Sequence, residues 1–222
     1  MTVHTALDYP DPTLGPPPSR HRQIDISAQL LTALLAISGL VCAALFGQQV
    51  VALGPVVLTG QIPIVVAAGV VMGWVVHGQL QRRFPMVPIL EHEIAHSIVA
   101  VLLLGRPTEI RASERDGHVL HTAVGLRGTL VRLAPYVLPT LPWLLFPLGW
   151  VVRTDLLMGW RAAVAIGLGY QLARVWTDLH RGQTDLTYGG YMTSIAAVLG
   201  WGSLSFGGTL FALLGGVPLL LA

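Results

Sequence analysis

The sequence predicts an all-α membrane protein, a polytopic bundle of about six transmembrane helices with a small β-hairpin after the third. Two observations favour this class. Of the 222 residues, 53% are hydrophobic and only 11% are charged, with a mean hydropathy of +0.66, whereas soluble domains carry about 25% charged residues. Apolar runs also recur at about the 20-residue length that crosses the hydrocarbon core of a bilayer.

The chain divides into a tail and one domain. Residues 1–23 are polar and rich in proline, including Pro16, Pro17 and Pro18, and they lack the apolar core and cleavage site of a signal peptide. We predict a disordered tail there. Residues 24–222 are predicted to form a single transmembrane domain.

The first three predicted spans cover residues 28–46, 62–76 and 87–104. The second contains Gly69 and Gly73 at the spacing that lets membrane helices pack closely. The third contains the acidic and histidine residues discussed below. A polar segment follows at 106–127, where apolar and polar residues alternate around Asp116-Gly117, which predicts the β-hairpin.

Three more spans are predicted after the hairpin. The fourth, 130–151, contains four prolines and is expected to be kinked or broken. The fifth, 156–176, carries small residues at close-packing spacing. The sixth, 188–222, is long for one helix, and the sequence leaves open whether it is one helix or two with a break near 200–208. Arginines flank both ends of several spans, so the charge pattern leaves the membrane orientation open.

The charge distribution bears on partners. The net charge is only +2, and the 13 Lys+Arg are scattered along the chain. A nucleic-acid partner is not expected, because no basic patch is present to follow phosphates. The lipid bilayer is the expected environment, and the sequence does not determine the oligomeric state. Arg174 in the fifth span is expected to snorkel to the membrane interface, with contact to the metal site as the alternative.

A metal-binding pattern lies in the third span, at His92-Glu93-Ile94-Ala95-His96. Two histidines four residues apart lie on one face of a helix and can bind one metal ion, and the glutamate between them can accept a proton from an attacking water. An unpaired acid in mid-membrane costs about 2.5 to 3.5 kcal/mol, so such residues face a protein interior or a cavity. The alternative is that both histidines join a hydrogen-bond network without a metal.

A catalytic zinc ion needs a third protein ligand and one open position. The candidates outside the motif helix are His77, His118, His121, Asp155, Asp178, His180 and Asp185. Straight parallel spans would place the segment after span five about 20 Å from His92, at a rise of about 1.5 Å per residue. Tilt, a re-entrant fourth segment or a loop dipping into the bundle would have to close that gap.

From His92 to about Asp185 the chain resembles the site-2 protease family of intramembrane zinc metallopeptidases. In that family an H-E-x-x-H helix is followed by a β-hairpin, further spans and an aspartate. The resemblance implies that Asp185, within Gly182-Gln183-Thr184-Asp185-Leu186, is the third ligand. Asp178 is the second candidate. The remaining alternative is that either acid only caps the fifth helix. The Leu-Asp-Gly and Asn-Pro signatures of better-known members are missing.

The expected function is that of a zinc metalloprotease that hydrolyses a peptide bond in or near the transmembrane segment of a membrane protein substrate. Zn²⁺ would be held by His92, His96 and Asp185, and Glu93 would be the catalytic residue. The expected location is the cell membrane, with several spans. The hairpin would hold an unwound substrate by strand addition. The alternatives are a non-proteolytic metal-binding membrane protein, either a transporter or a sensor, and a haem-binding membrane protein.

Overall fold

The computed structural model describes residues 26–57, 60–113, 117–179 and 183–214. The predicted disordered tail, 1–23, lies outside the described residues. Within the described ranges the chain is mostly helical. The elements in order are α1 (Ile26–Val57), α2 (Gln61–Arg83), α3 (Met86–Leu102), β1 (Pro107–Ala112), β2 (Gly117–His121), α4 (Gly125–Val137), α5 (Thr140–Leu145), two 3-10 turns (Phe146–Trp150 and Thr154–Leu156), α6 (Leu157–Asp178), α7 (Thr184–Tyr188) and α8 (Tyr191–Leu213).

Four of these segments are long and apolar enough to cross a membrane: 29–48, 61–83, 154–178 and 191–213. A fifth is obtained if α4 and the segment Thr140–Trp150 count as one broken span. The predicted number of six is therefore not confirmed. The main difference is α3, which has only 17 residues and interrupts its apolar sequence with the two acids and two histidines of the motif region.

The prolines act as expected in the fourth predicted span. Helix α4 ends at Val137, and the chain turns by 83° before it continues from Thr140 to Trp150. Pro139 lacks an amide hydrogen and restricts the residue before it, which disfavours a continuous helix at this point. By contrast, α8 runs without interruption from Tyr191 to Leu213, so of the two alternatives for this segment the structure shows one helix without a break near 200–208.

Glycines bring two pairs of helices into close contact. Helix α2 packs along α6, and α1 packs along α8. A Cβ atom built on Gly73 would overlap the backbone carbonyl of Ile166, and one on Gly169 would overlap that of Val70. The close-packing role predicted for Gly73 is consistent with this contact, because only a residue without a side chain allows two helix backbones to meet there.

The predicted hairpin is present as a two-stranded antiparallel sheet. Ile110 pairs with Val119 and Arg111 with His118, with an irregularity near the start of β1. The hairpin lies against α3. A Cβ atom on Gly117 would be 2.6 Å from Cγ2 of Ile89 and 2.7 Å from Oε1 of Glu93. The start of β2 is thereby placed directly against the glutamate of the motif.

Candidate metal centre

The two motif histidines and one downstream aspartate form a cluster that could hold a metal ion. One ligand atom from each of His92, His96 and Asp185 lies within 4.8 Å of the others. Oδ2 of Asp185 is 3.5 Å from Nε2 of His92 and 3.2 Å from Nε2 of His96. The imidazole rings are edge to face, with centroids 4.9 Å apart. Two imidazole nitrogens and a carboxylate oxygen thus face a common point.

The other nitrogen of each ring has a polar partner. Nδ1–H of His96 donates to the backbone carbonyl of Val131 at 2.7 Å. Because a carbonyl can only accept, the hydrogen of a neutral His96 ring lies on Nδ1, and its Nε2 lone pair is available to a metal ion. Nδ1 of His92 lies 3.1 Å from Oδ2 of Asp178, which is an acceptor, and 3.0 Å from Nη1 of Arg174, which is a donor. These two contacts hold the His92 ring with Nε2 towards Asp185.

The chain brings both aspartates to the motif from the end of α6. Asp178 is the last residue of that helix, and Asp185 lies in the first turn of α7, next to it in the chain. Arg174 contacts Glu91, and Asp178 contacts His92, so the last turns of α6 lie beside the first turns of α3. The gap of about 20 Å that straight parallel spans predict does not arise.

The Asp185 carboxyl group is strongly stabilised in its charged form. Burial by itself would raise its pKa, but the contacts with the imidazoles of His92 and His96 outweigh that effect and hold the pKa well below its ordinary value. The side chain keeps 19% of its surface exposed, towards the cavity. Asp185 is therefore negatively charged at neutral pH, as a metal ligand must be.

Arg174 lies in the interior, and the expectation that it snorkels to the interface is wrong. Only 1% of it is exposed. Its Nε lies 2.5 Å from Oε2 of Glu91, Nη1 donates to Oδ2 of Asp178 at 3.2 Å, and Nη2 donates to the carbonyl of Pro135 at 2.5 Å. A buried guanidinium needs such partners to offset its lost hydration, and here they tie three helices together beside the histidines.

The acid before the motif belongs to the same buried network. Oε1 of Glu91 accepts from the Thr140 hydroxyl at 2.6 Å and from Nε2 of Gln171 at 2.7 Å. Glu91 therefore faces α5 and α6 rather than the metal cluster. The polar residues Gln171 and Arg174 in an otherwise apolar helix were the sequence signal for this network, since membrane helices rarely contain such groups without partners.

The cluster opens into a cavity of about 490 Å³. Glu93, of which 6% is exposed, lines it together with the three cluster residues. Strand β2 forms part of its wall through Gly117, His118, Val119 and His121. The assignment of Glu93 as the catalytic residue stays a prediction, with its position in this cavity as support.

The remaining candidate ligands are not part of the three-residue cluster. His77, His118 and His121 line the cavity but are outside the three-residue cluster. Asp155 is exposed and pairs with Arg153, and His180 is outside the described residues. Asp178 contacts His92 at Nδ1, on the far side of the ring from Asp185. The Val131 carbonyl was missed, because a backbone acceptor leaves no trace in the sequence.

Neither protein-family models, nor curated proteins, nor solved structures give a match to this chain. Its function therefore has to be inferred from the geometry of the site.

Proposed function

We propose that this chain is a zinc metallopeptidase of the H-E-x-x-H type that cleaves membrane protein substrates in or near a transmembrane segment, as a multi-pass protein of the cell membrane. The observation that carries the proposal is the convergence of His92, His96 and Asp185 on one point of a cavity that Glu93 also lines. Two imidazoles and one carboxylate are a typical ligand set of catalytic zinc, which leaves a fourth position open. The resemblance to site-2 proteases favours the same reaction.

The residues of the cavity suit amide hydrolysis. Zinc, when bound, supplies a Lewis acid that polarises a carbonyl and makes water more acidic. Glu93 is the base that takes the proton of the attacking water and returns it to the leaving amine. Asp178 and Arg174 hold the His92 ring in place, and the Val131 carbonyl fixes the orientation and tautomer of His96.

The hairpin supports a role in holding the substrate. A helical peptide bond is shielded, so a transmembrane substrate must be extended before it is hydrolysed. Of the two strands, β2 contributes the residues that line the cavity, and within the described ranges it pairs with β1 along one side only. An extended substrate segment added to the free edge of β2 would run past Glu93, which lies against Gly117 at the start of that strand.

The deciding experiment compares wild type with Glu93→Gln. The purified full-length chain, reconstituted with Zn²⁺, is incubated with a library of transmembrane-segment peptides, and the products are identified by mass spectrometry. Loss of the general base is expected to reduce turnover by about 100-fold or more, with one zinc still bound per chain. Glu109→Gln on β1 is the matched control, because Glu109 pairs with Arg111 and does not line the cavity.

Two results would contradict the proposal. Equal hydrolysis by wild type and Glu93→Gln would remove the assigned base. Zinc binding without any hydrolysis by wild type would favour the alternative of a transporter or sensor, which needs the three ligands but not the glutamate.

A further inference from the structure

Among the residues that the structure describes, one arginine lines the metal cavity. Arg132 of α4 contributes to the cavity wall and follows Val131, whose carbonyl holds His96. Its guanidinium carbon lies 4.0 Å from the centroid of the Tyr188 ring. Tyr188 ends α7, the short helix that carries Asp185. Stacking on an aromatic ring orients the planar guanidinium and leaves its edge N–H groups free to bind.

Arg132 differs from other arginines of the described chain in its partners. Arg174 pairs with Glu91 and Asp178, and Arg153 pairs with Asp155. Within residues 26–57, 60–113, 117–179 and 183–214, no ion pair joins Arg132 to a carboxylate. A guanidinium that lines a cavity without an internal carboxylate is suited to receive one from a ligand, because its fork matches the two oxygens.

The position of Arg132 relative to β2 limits where that carboxylate would lie. The charge of Arg132 acts on His121 at the end of β2: burial first, and this charge second, lower the pKa of that imidazole. Glu93 lies against Gly117 at the start of the same strand. Five residues of strand extend over roughly 13 to 17 Å, so a substrate paired with β2 would pass both groups within about four residues.

We propose that Arg132 binds a carboxylate of the substrate, so that the cavity selects peptides with an acidic group within a few residues of the bond to be cleaved. This inference rests on the proposed peptidase function. Two sources supply the same chemistry: the side chain of an aspartate or glutamate, and the free carboxylate of a peptide C-terminus.

The test measures binding and requires no turnover. The purified full-length chain is loaded with Co²⁺, whose visible absorption changes when a hydroxamate joins the metal. Short hydroxamates that end in a carboxylate, with two to five methylene groups, are compared with the same series ending in a carboxamide. For at least one length we expect the carboxylate to bind about 10-fold more tightly in wild type, the range of a charge-assisted hydrogen bond.

Variants attribute that preference to one side chain. Arg132→Gln is expected to abolish it, and Arg132→Lys to retain part of it, because the charge remains while the fork is lost. Arg127→Gln is the matched control: Arg127 is an exposed arginine on the same helix that does not line the cavity. This variant should keep the preference.

The source of the carboxylate is resolved with two peptide hydroxamates, one with an internal aspartate and an amidated C-terminus, the other with alanine and a free C-terminus. Tighter binding of either one, lost in Arg132→Gln, supports the proposal and identifies the source.

Equal binding of the carboxylate and carboxamide series by cobalt-loaded wild type would overturn the inference while leaving the metal centre intact. A preference that survives Arg132→Gln, or that disappears when anionic lipid is added to the detergent, would also overturn it, the latter by showing that Arg132 contacts lipid headgroups. Absence of any cobalt spectrum would instead remove the metal centre and the proposed function with it.

Discussion

Helix α6 contacts α2 and α3 in different ways. Against α2, Gly169 and Gly73 remove side chains and let the two backbones touch. Against α3, the contact is made by long polar side chains, above all Arg174, which reaches Glu91 while its neighbour Asp178 reaches His92. One side of the helix is closed, and the other borders the cavity that contains the metal cluster.

The difference has a physical reason. Between apolar helices in lipid, association depends on close packing, which small residues allow. Around a metal site, space must remain for the ion, a water and a substrate, so the helices are held apart and joined by hydrogen bonds and charges. The glycine contact between α2 and α6 therefore stabilises the packing of the helices, and the polar contact between α3 and α6 positions the metal-binding residues. Substitutions can remove either contact without removing the other.

The largest expected effect comes from removing a ligand on the polar side. Asp185→Ala should reduce zinc affinity by more than the roughly 10- to 100-fold that loss of an outer hydrogen-bond partner costs, because two imidazoles alone do not complete a zinc site. Competition with a chelator measures the affinity. The helical content should stay unchanged, since Asp185 lies in a helix of only five residues. Asp155→Ala, an exposed acid outside the cavity, is the control, and equal affinity in both variants would contradict the assignment.

The second effect comes from filling the close contact. Gly73→Val places a side chain against the backbone of α6, at Ile166 and Tyr170, and backbone atoms cannot move aside as a flexible side chain can. We expect a loss of about 3 kcal/mol or more in the free energy of unfolding, at the upper end of the range for overpacked cores.

Gly78→Val is the matched control for that substitution. It lies on the same helix, and a Cβ atom there would have no neighbour within 4 Å. Thermal unfolding in detergent compares the two variants, with zinc omitted so that packing alone is measured. Equal transition temperatures would show that the α2–α6 contact does not depend on the missing side chain.

The sequence predicted the contact of α6 with α2 better than its contact with α3. Apolar runs and the spacing of Gly69 and Gly73 are local patterns, so the helices and one close contact could be read from them. The predicted number of six spans is not confirmed, because α3 was judged by its apolar residues, whereas it contains the polar motif and has only 17 residues. The continuity of α8 through its glycines could not be read from the sequence, since packing against α1 supports a helix that propensity alone would interrupt.

Some residues of the site were predicted from local patterns, and others were not. His92, His96 and Glu93 followed from their spacing, whereas Asp185 followed from a family resemblance, because no local pattern joins residues 89 positions apart. The interior position of Arg174 could not be read from its own helix. It depends on Glu91 and on the Pro135 carbonyl, which come from two other helices.

The smallest expected effect distinguishes the two aspartates. Asp178 contacts Nδ1 of His92 and accepts from Arg174, so Asp178→Asn keeps an acceptor oxygen but removes the charge that strengthens both contacts. We expect zinc affinity to fall by about 10- to 100-fold, less than in Asp185→Ala, with His96 unaffected because the Val131 carbonyl holds it. The same chelator competition measures both variants. If Asp178→Asn loses more zinc affinity than Asp185→Ala, the roles of the two acids are exchanged. Asp178 would then be the metal ligand, and His92 would bind the metal through Nδ1 instead of Nε2.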